Sequence, residues 1–141
     1  MSQTPHDLLH VRSAGELLVA AVYALMGHQV VWPLQPAPYD LVVDVRPAGS
    51  LVRVQVKTCT RKPEGAWRCW ITSSEYADVP GGKRRVRYLP GEIDVLAVVD
   101  GDLQVYLIPY ALVAGQSTVT PRAYDAYRVA GVSLAEGIAA P

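Results

Sequence analysis

The composition of this 141-residue chain is that of one folded domain, since half of its residues are apolar and 18% are charged. The formal net charge is zero, which excludes a protein that coats nucleic acid by charge alone but leaves room for a local basic patch. No apolar run is expected to reach the length of a membrane span, and the N-terminus lacks the basic start and apolar centre of a signal peptide. We therefore expect an intracellular, cytoplasmic protein without membrane contact.

The first part of the chain predicts one helix and three strands. Apolar residues recur at helical spacing over residues 13–26, and Gly27 stands where the helix should end. A short strand is expected at about residues 29–32, and a proline-rich loop leads to a second strand over residues 39–45. A short turn then leads to a third strand, LVRVQVKTC, which should form an antiparallel hairpin with the second.

The remainder of the chain predicts more strands and a basic loop. AWRCWITS, residues 66–74, is a predicted fourth strand, and residues 75–92 are predicted to form a surface loop. Residues 93–109 predict a second hairpin around the turn Asp100-Gly101-Asp102. The fold class is therefore α/β or α+β, with a mixed sheet and the N-terminal helix packed across it. We expect a single domain over residues 1–141 with a core at about 13–110. The pattern leaves open the role of the tail at about 117–141.

Polar side chains are predicted to gather where the second and third strands pair. Gln55 and Lys57 alternate with valines, so they share one face of the third strand, and Asp40 opens the neighbouring strand. With Glu16 reaching down from the helix, carboxylate and amide oxygens would converge there, and these are ligands that Mg²⁺ prefers. Lys57 would then hold or help to deprotonate the water that attacks phosphorus, which predicts hydrolysis of a phosphodiester.

PYDLVVDV, followed within ten residues by RVQVKT, resembles the core of the PD-(D/E)XK nucleases, in the variant where glutamine replaces the acidic residue before x-Lys. The chain is similar in particular to the group I intron homing endonucleases of this class and, more distantly, to archaeal-type Holliday junction resolvases. The resemblance covers roughly residues 13–110. It implies a restriction-endonuclease-like fold and metal-dependent cleavage of DNA.

The resemblance also implies a role for each site residue. Asp40 would be the central metal ligand, Gln55 would give a side-chain oxygen and Val56 a backbone carbonyl, and Glu16 would complete the metal shell. Lys57 would position the nucleophile, Mg²⁺ would be the cofactor, and Mn²⁺ should substitute for it. Two positions depart from the family pattern. Tyr39 stands where the family has proline, and the neutral Gln55 should weaken metal binding.

Each of these residues also has a structural interpretation. SAGE from Ser13 fits a capping box, in which Glu16 would reach back to the start of the helix. Asp40 could be a turn residue, and Gln55 with Lys57 could form the solvated side of an amphipathic strand. Asp44 is interpreted as a hairpin-end residue or as a partner of a nearby arginine.

Basic residues predict a DNA-backbone surface or, alternatively, an ordinary solvated loop. These residues are Arg61, Lys62, Lys83, Arg84, Arg85 and Arg87. Cys59 and Cys69 are interpreted as ordinary reduced thiols, and His6 with His10 as part of a solvated or frayed terminus.

The preferred function is a metal-dependent endonuclease that cuts double-stranded DNA. Because the domain is small for a protein that must grip a duplex and cut both strands, a homodimer or tetramer is expected. Two alternatives stay open: a structure-specific resolvase that acts on branched DNA, and a non-catalytic DNA-binding module that retains the fold.

Overall fold

The computed structural model describes residues 5–76, 83–130, 132–133 and 137–138, with side chains described for residues 8–72 and 86–130. The chain forms one α-helix, α1, over Pro5–Leu25, and short 3₁₀ turns at Pro63–Gly65, Tyr110–Leu112 and Pro121–Tyr127. The strands are β1 Gln29–Val31, β2 Leu41–Val45, β3 Ser50–Thr58, β4 Cys69–Trp70, β5 Ser73–Tyr76, β6 Lys83–Val86, β7 Val95–Val99, β8 Val105–Pro109, β9 Thr118–Val119, β10 Val132–Ser133 and β11 Gly137–Ile138.

Helix α1 begins eight residues before its predicted start and ends as predicted before Gly27, which has a positive φ of 87°. Ser13 therefore lies inside the helix and cannot cap it, so the capping-box interpretation of Glu16 is wrong. The stretch with His6 and His10 belongs to α1, and the exposed side chain of His10 agrees with the solvated alternative of its interpretation. The side chain of His6 lies outside the described residues.

Helix α1 also corrects the expectation about apolar length. Its segment Leu8–Leu25 is long and apolar enough to cross a membrane by length and composition alone. Core helices of soluble proteins and signal sequences both meet this criterion, and 28% of the segment is buried. The buried part includes Val19, Val22 and Tyr23, which lie in a cluster with residues of the sheet.

The main sheet has five strands in the order β1-β2-β3-β7-β8. Strands β3 and β7 are parallel, whereas every other neighbouring pair is antiparallel. Both predicted hairpins, β2–β3 and β7–β8, are present. The prediction of a mixed sheet with the N-terminal helix packed on it is confirmed.

The predictions for residues 66–92 are wrong in part. The expected single fourth strand is divided into β4, which pairs with β9, and β5, which pairs with β6 in the segment predicted to be a loop. Neither pair joins the main sheet. Strand β4 finds its partner almost fifty residues away, so local sequence pattern could not reveal this pairing.

The sheet separates two apolar clusters, and β3 contributes differently to each side. Val54 and Val56 pack with α1 in one cluster, as strand alternation predicts. Gln55 and Lys57 consequently point to the opposite side. The second cluster on that side includes Cys59 and Cys69, which are both buried free thiols.

Candidate active site

A cleft of about 560 Å³ opens where α1, the loop before β2, and β3 meet the segment around β4. Its lining includes Glu16, Asp40, Gln55, Val56 and Lys57. The structure thus brings together all the predicted metal-site and catalytic residues. Their chemical roles stay predictions.

The floor of the cleft is a network centred on the Asp40 carboxylate. Asp40 Oδ2 accepts a hydrogen bond of 2.8 Å from the Val56 backbone N–H and another of 2.8 Å from Gln55 Nε2. Gln55 Nε2 also donates to the Val56 carbonyl oxygen at 3.2 Å. The amide nitrogen therefore lies between a carboxylate oxygen and a backbone carbonyl oxygen, in a position where a cation would meet the same two acceptors.

Glu16 and Asp40 form what we call the carboxylate pair. Burial raises the pKa of Glu16, and the negative charge of Asp40 raises it further. Burial also raises the pKa of Asp40, although the Val56 hydrogen bond and the charge of Lys57 oppose this effect. Both carboxylates thus lie where negative charge is not fully compensated by the protein.

The ammonium group of Lys57 is held against the wall opposite α1. Lys57 Nζ donates to the backbone carbonyl of Thr72 at 3.4 Å and lies 5.5 Å from the centre of the Tyr88 ring. The ring of Tyr88 is in turn packed edge-on against Tyr110 at 6.2 Å. The position of the charge therefore depends on an aromatic face and a carbonyl, both of which attract cations.

Asp44 lies outside this cluster, near the other end of β2. It forms an ion pair of 2.8 Å with Arg46, as one interpretation of the sequence predicted. Arg53, which shares the strand face of Gln55, pairs with Asp94 at 3.0 Å.

The predicted basic surface is only partly gathered at the cleft. Arg61 lines the cleft with its guanidinium 5.4 Å from the centre of the Trp70 ring. Lys62 lies outside the cleft lining, 5.2 Å from the Trp67 ring, and Arg87 is exposed. The backbones of Lys83, Arg84 and Arg85 belong to β6, but their side chains lie outside the described residues.

The cleft residues that the sequence did not predict include Arg12, Arg68, Thr72 and Tyr88. Arg12 could have been found, because it precedes Glu16 by one helical turn and the two positions share a face. The other three come from segments whose positions depend on tertiary contacts, and no local pattern identifies them.

A divalent cation fits the floor of the cleft by the chemistry of its donors. Among the residues with described side chains, no group of three His, Cys, Asp or Glu residues could hold a metal. The available set is instead the carboxylate pair, the Gln55 amide and the Val56 carbonyl. These are hard oxygen donors once the Gln55 amide turns its oxygen toward the cleft. The raised pKa values of Glu16 and Asp40 indicate that a cation would stabilise their ionised forms.

The fold and the cleft define an α/β domain whose polar site lies at the junction of a hairpin and the first helix. The sequence profile of the PD-(D/E)XK endonucleases matches residues 10–127, so the chain belongs to the PD-(D/E)XK endonuclease family. The search of curated proteins gave no significant match.

A solved structure shows the same fold. The bacterial homing endonuclease I-Ssp6803I superposes with a TM-score of 0.70 at 21% sequence identity, over 84% of this chain and 86% of that one. The resemblance to homing endonucleases inferred from the sequence is therefore confirmed at the level of the fold.

Proposed function

We propose that the protein is a metal-dependent endonuclease that hydrolyses phosphodiester bonds in double-stranded DNA. The observation that carries this proposal is the placement of Gln55 Nε2 between Asp40 Oδ2, at 2.8 Å, and the Val56 carbonyl oxygen, at 3.2 Å. A half-turn of the amide exchanges its nitrogen and oxygen. The two acceptors and the amide oxygen would then face one point.

Mg²⁺ is the proposed cofactor, with Mn²⁺ as a substitute, and Asp40, Gln55, Val56 and Glu16 are its proposed holders. When bound, the cation would neutralise charge on the phosphate and acidify the attacking water. The neutral Gln55 leaves this site with one negative charge fewer than an acidic residue would give. We therefore expect weaker cation binding than a three-carboxylate site would provide.

Lys57 is proposed to orient the nucleophile and the phosphate. Its ammonium lies in the same cleft as Asp40, close enough that its charge lowers the pKa of that carboxyl. The Thr72 carbonyl and the Tyr88 ring limit where the ammonium can move. An ammonium group held in this way is preorganised, so it can attract the anionic substrate without a further conformational change of Lys57.

DNA binding is proposed to use the arginines of the cleft together with the predicted basic residues. Arg12, Arg61 and Arg68 all line the cleft, so a phosphate backbone that enters it would meet three arginine residues. We also propose a homodimer or tetramer, because two sites are needed to cut both strands in one encounter. Exposed apolar side chains such as Leu34 and Leu51 are compatible with such contacts.

A non-catalytic DNA-binding module is the second candidate, and one observation favours it. The Gln55 amide closes a complete hydrogen-bonded network with Asp40 and Val56 without any cation. Such a network can satisfy the polar groups of a site that no longer turns over.

Cleavage assays on linear duplex, four-way junction and single-stranded DNA separate these functions. We expect the wild type to cut duplex DNA with Mg²⁺ or Mn²⁺ and to be inactive with EDTA. Selective cleavage of the junction would favour a resolvase, whereas DNA binding without cleavage under every condition would favour the non-catalytic module.

Two variants test the assigned roles. Lys57→Ala should abolish cleavage with folding and DNA binding largely intact, and Asp40→Asn should also lose Mg²⁺ binding in calorimetry. Arg46→Ala removes one positive charge at the other end of β2 and serves as the matched control for Lys57→Ala. Wild-type cleavage by Lys57→Ala, or unchanged Mg²⁺ affinity in Asp40→Asn, would contradict the respective role.

A further inference from the structure

The hydroxyl group of Thr72 is buried without a hydrogen-bond partner. Thr72 is only 7% exposed, and its Oγ1 is the one buried side-chain nitrogen or oxygen in the described part of the chain that makes no hydrogen bond. Leaving such a group unpaired costs free energy, and an isolated case in a folded protein calls for a physical explanation.

The location of Thr72 supplies that explanation. Thr72 lines the same cleft as Asp40 and Gln55, and its own carbonyl accepts the hydrogen bond from Lys57 Nζ at 3.4 Å. An unused neutral donor therefore lies on the residue that contacts the positive charge of the site. The ammonium contacts the carbonyl of Thr72, and the hydroxyl belongs to the same residue. A hydroxyl and an ammonium that can reach one oxyanion suit its binding, since both groups can donate to its oxygens.

We propose that Thr72 is a substrate-binding residue whose hydroxyl, buried in the free protein, turns toward the cleft on binding and donates to a non-bridging oxygen of the phosphodiester held at Lys57. This inference rests on the proposed function and adds a contact that neither the motif nor the fold assigns. The substrate then accepts the hydrogen bond that this hydroxyl lacks in the free protein. Binding thereby offsets the free-energy cost of the unpaired buried group.

The substitution Thr72→Val tests this contact, because valine has nearly the same shape and removes only the hydroxyl. We expect single-turnover cleavage of duplex DNA with Mg²⁺ to fall about ten- to hundredfold, the range for one hydrogen bond to a charged group. Thr72→Ser should retain most of the wild-type rate. Thr118→Val, which removes a hydroxyl from β9 outside the cleft, is the matched control.

Thermal unfolding distinguishes this role from a structural one. Since Thr72→Val removes an unsatisfied polar group, its melting temperature should equal or exceed that of the wild type while cleavage falls. A melting temperature that falls together with cleavage, or unchanged cleavage, would overturn the proposal. A wild type that does not cleave would count against the proposed enzyme rather than against this contact.

A binding measurement tests the contact without turnover. The dinucleotide thymidylyl-thymidine, the smallest DNA phosphodiester, should raise the melting temperature of the wild type and of Thr72→Ser in the presence of Mg²⁺. Its effect on Thr72→Val should be clearly smaller. Equal stabilisation of all three proteins, or stabilisation of none, would refute a phosphate contact by this hydroxyl.

Discussion

Restoring the acidic residue at position 55 tests the arrangement of the cleft floor. In the Gln55→Glu variant a carboxylate oxygen replaces the amide nitrogen that now lies 2.8 Å from Asp40 Oδ2. One favourable hydrogen bond becomes a contact between like charges. The variant should therefore be less stable than the wild type without metal, and a bound divalent cation should reverse the loss.

The size of the effect follows from the distance and is limited by protonation. Two like charges at this separation repel by about 6 kcal/mol at an effective dielectric constant of about 20. The introduced carboxyl group avoids part of this repulsion by taking up a proton. Starting from a pKa of about 4.3, protonation limits the destabilisation to about 5 kcal/mol at pH 8 and about 2 kcal/mol at pH 6.

The direction of the pH dependence is fixed by the same repulsion. A neighbouring negative charge raises the folded-state pKa of the introduced carboxyl above its unfolded value, so the folded state binds the proton more tightly. The variant therefore keeps its stability below the unfolded pKa and loses it as the pH rises through the folded-state pKa.

Urea unfolding, followed by tryptophan fluorescence at pH 6 and pH 8 with EDTA or Mg²⁺, measures these changes. Gln35→Glu introduces the same charge at an exposed loop position and serves as the control. The variant at position 55 should show the larger loss at pH 8 with EDTA and the larger recovery with Mg²⁺. If both variants behave alike under all four conditions, the inferred geometry of the floor is wrong.

Three further predictions concern the walls and the charge of the cleft. Tyr88→Leu removes the ring that lies 5.5 Å from Lys57 Nζ, so single-turnover cleavage should fall about three- to thirtyfold, whereas Tyr88→Phe should retain most activity. Equal rates for the two variants would contradict a role for the ring. Arg12→Ala and Arg68→Ala should each weaken DNA binding and flatten the slope of log affinity against log salt by about one. Fluorescence anisotropy measures this slope, and an unchanged slope would contradict contacts with phosphate groups. Because burial raises the pKa values of the carboxylate pair, protons compete with the cation, and both Mg²⁺ affinity and cleavage should decline as the pH falls through those raised values. A pH profile without this acid limb would oppose metal binding by the pair.

The main sheet and the centre of the site were predictable because they depend on short-range rules. Alternation along β3 determines that Gln55 and Lys57 share a face, since successive strand side chains point to opposite sides. The short turn before β3 determines its pairing with β2, which brings Asp40 next to Gln55. Both relations are present in some twenty consecutive residues.

The start of α1 could have been predicted from a helix-start preference, whereas the length of β4 and the cleft residues beside it depend on longer-range contacts. Pro5 is well suited to the first turn of a helix, and this preference could have indicated the true start of α1. Strand β4 was predicted too long because its partner, β9, lies far along the chain. Arg68 and Thr72 flank β4, so their arrival at the cleft could be predicted only with that pairing.

The position of the Glu16 carboxylate depends on close packing between α1 and β3. Its neighbour Gly15 is buried, and a Cβ atom at that position would collide with Thr58 Oγ1 at the end of β3. The absent side chain lets α1 approach the strand closely, which brings Glu16 near enough to Asp40 for the two charges to interact. Packing rather than hydrogen bonding thus holds this carboxylate in the cleft, because the described residues give Glu16 no hydrogen-bond partner. A carboxylate held in this way can turn toward an incoming cation without first breaking a bond within the protein.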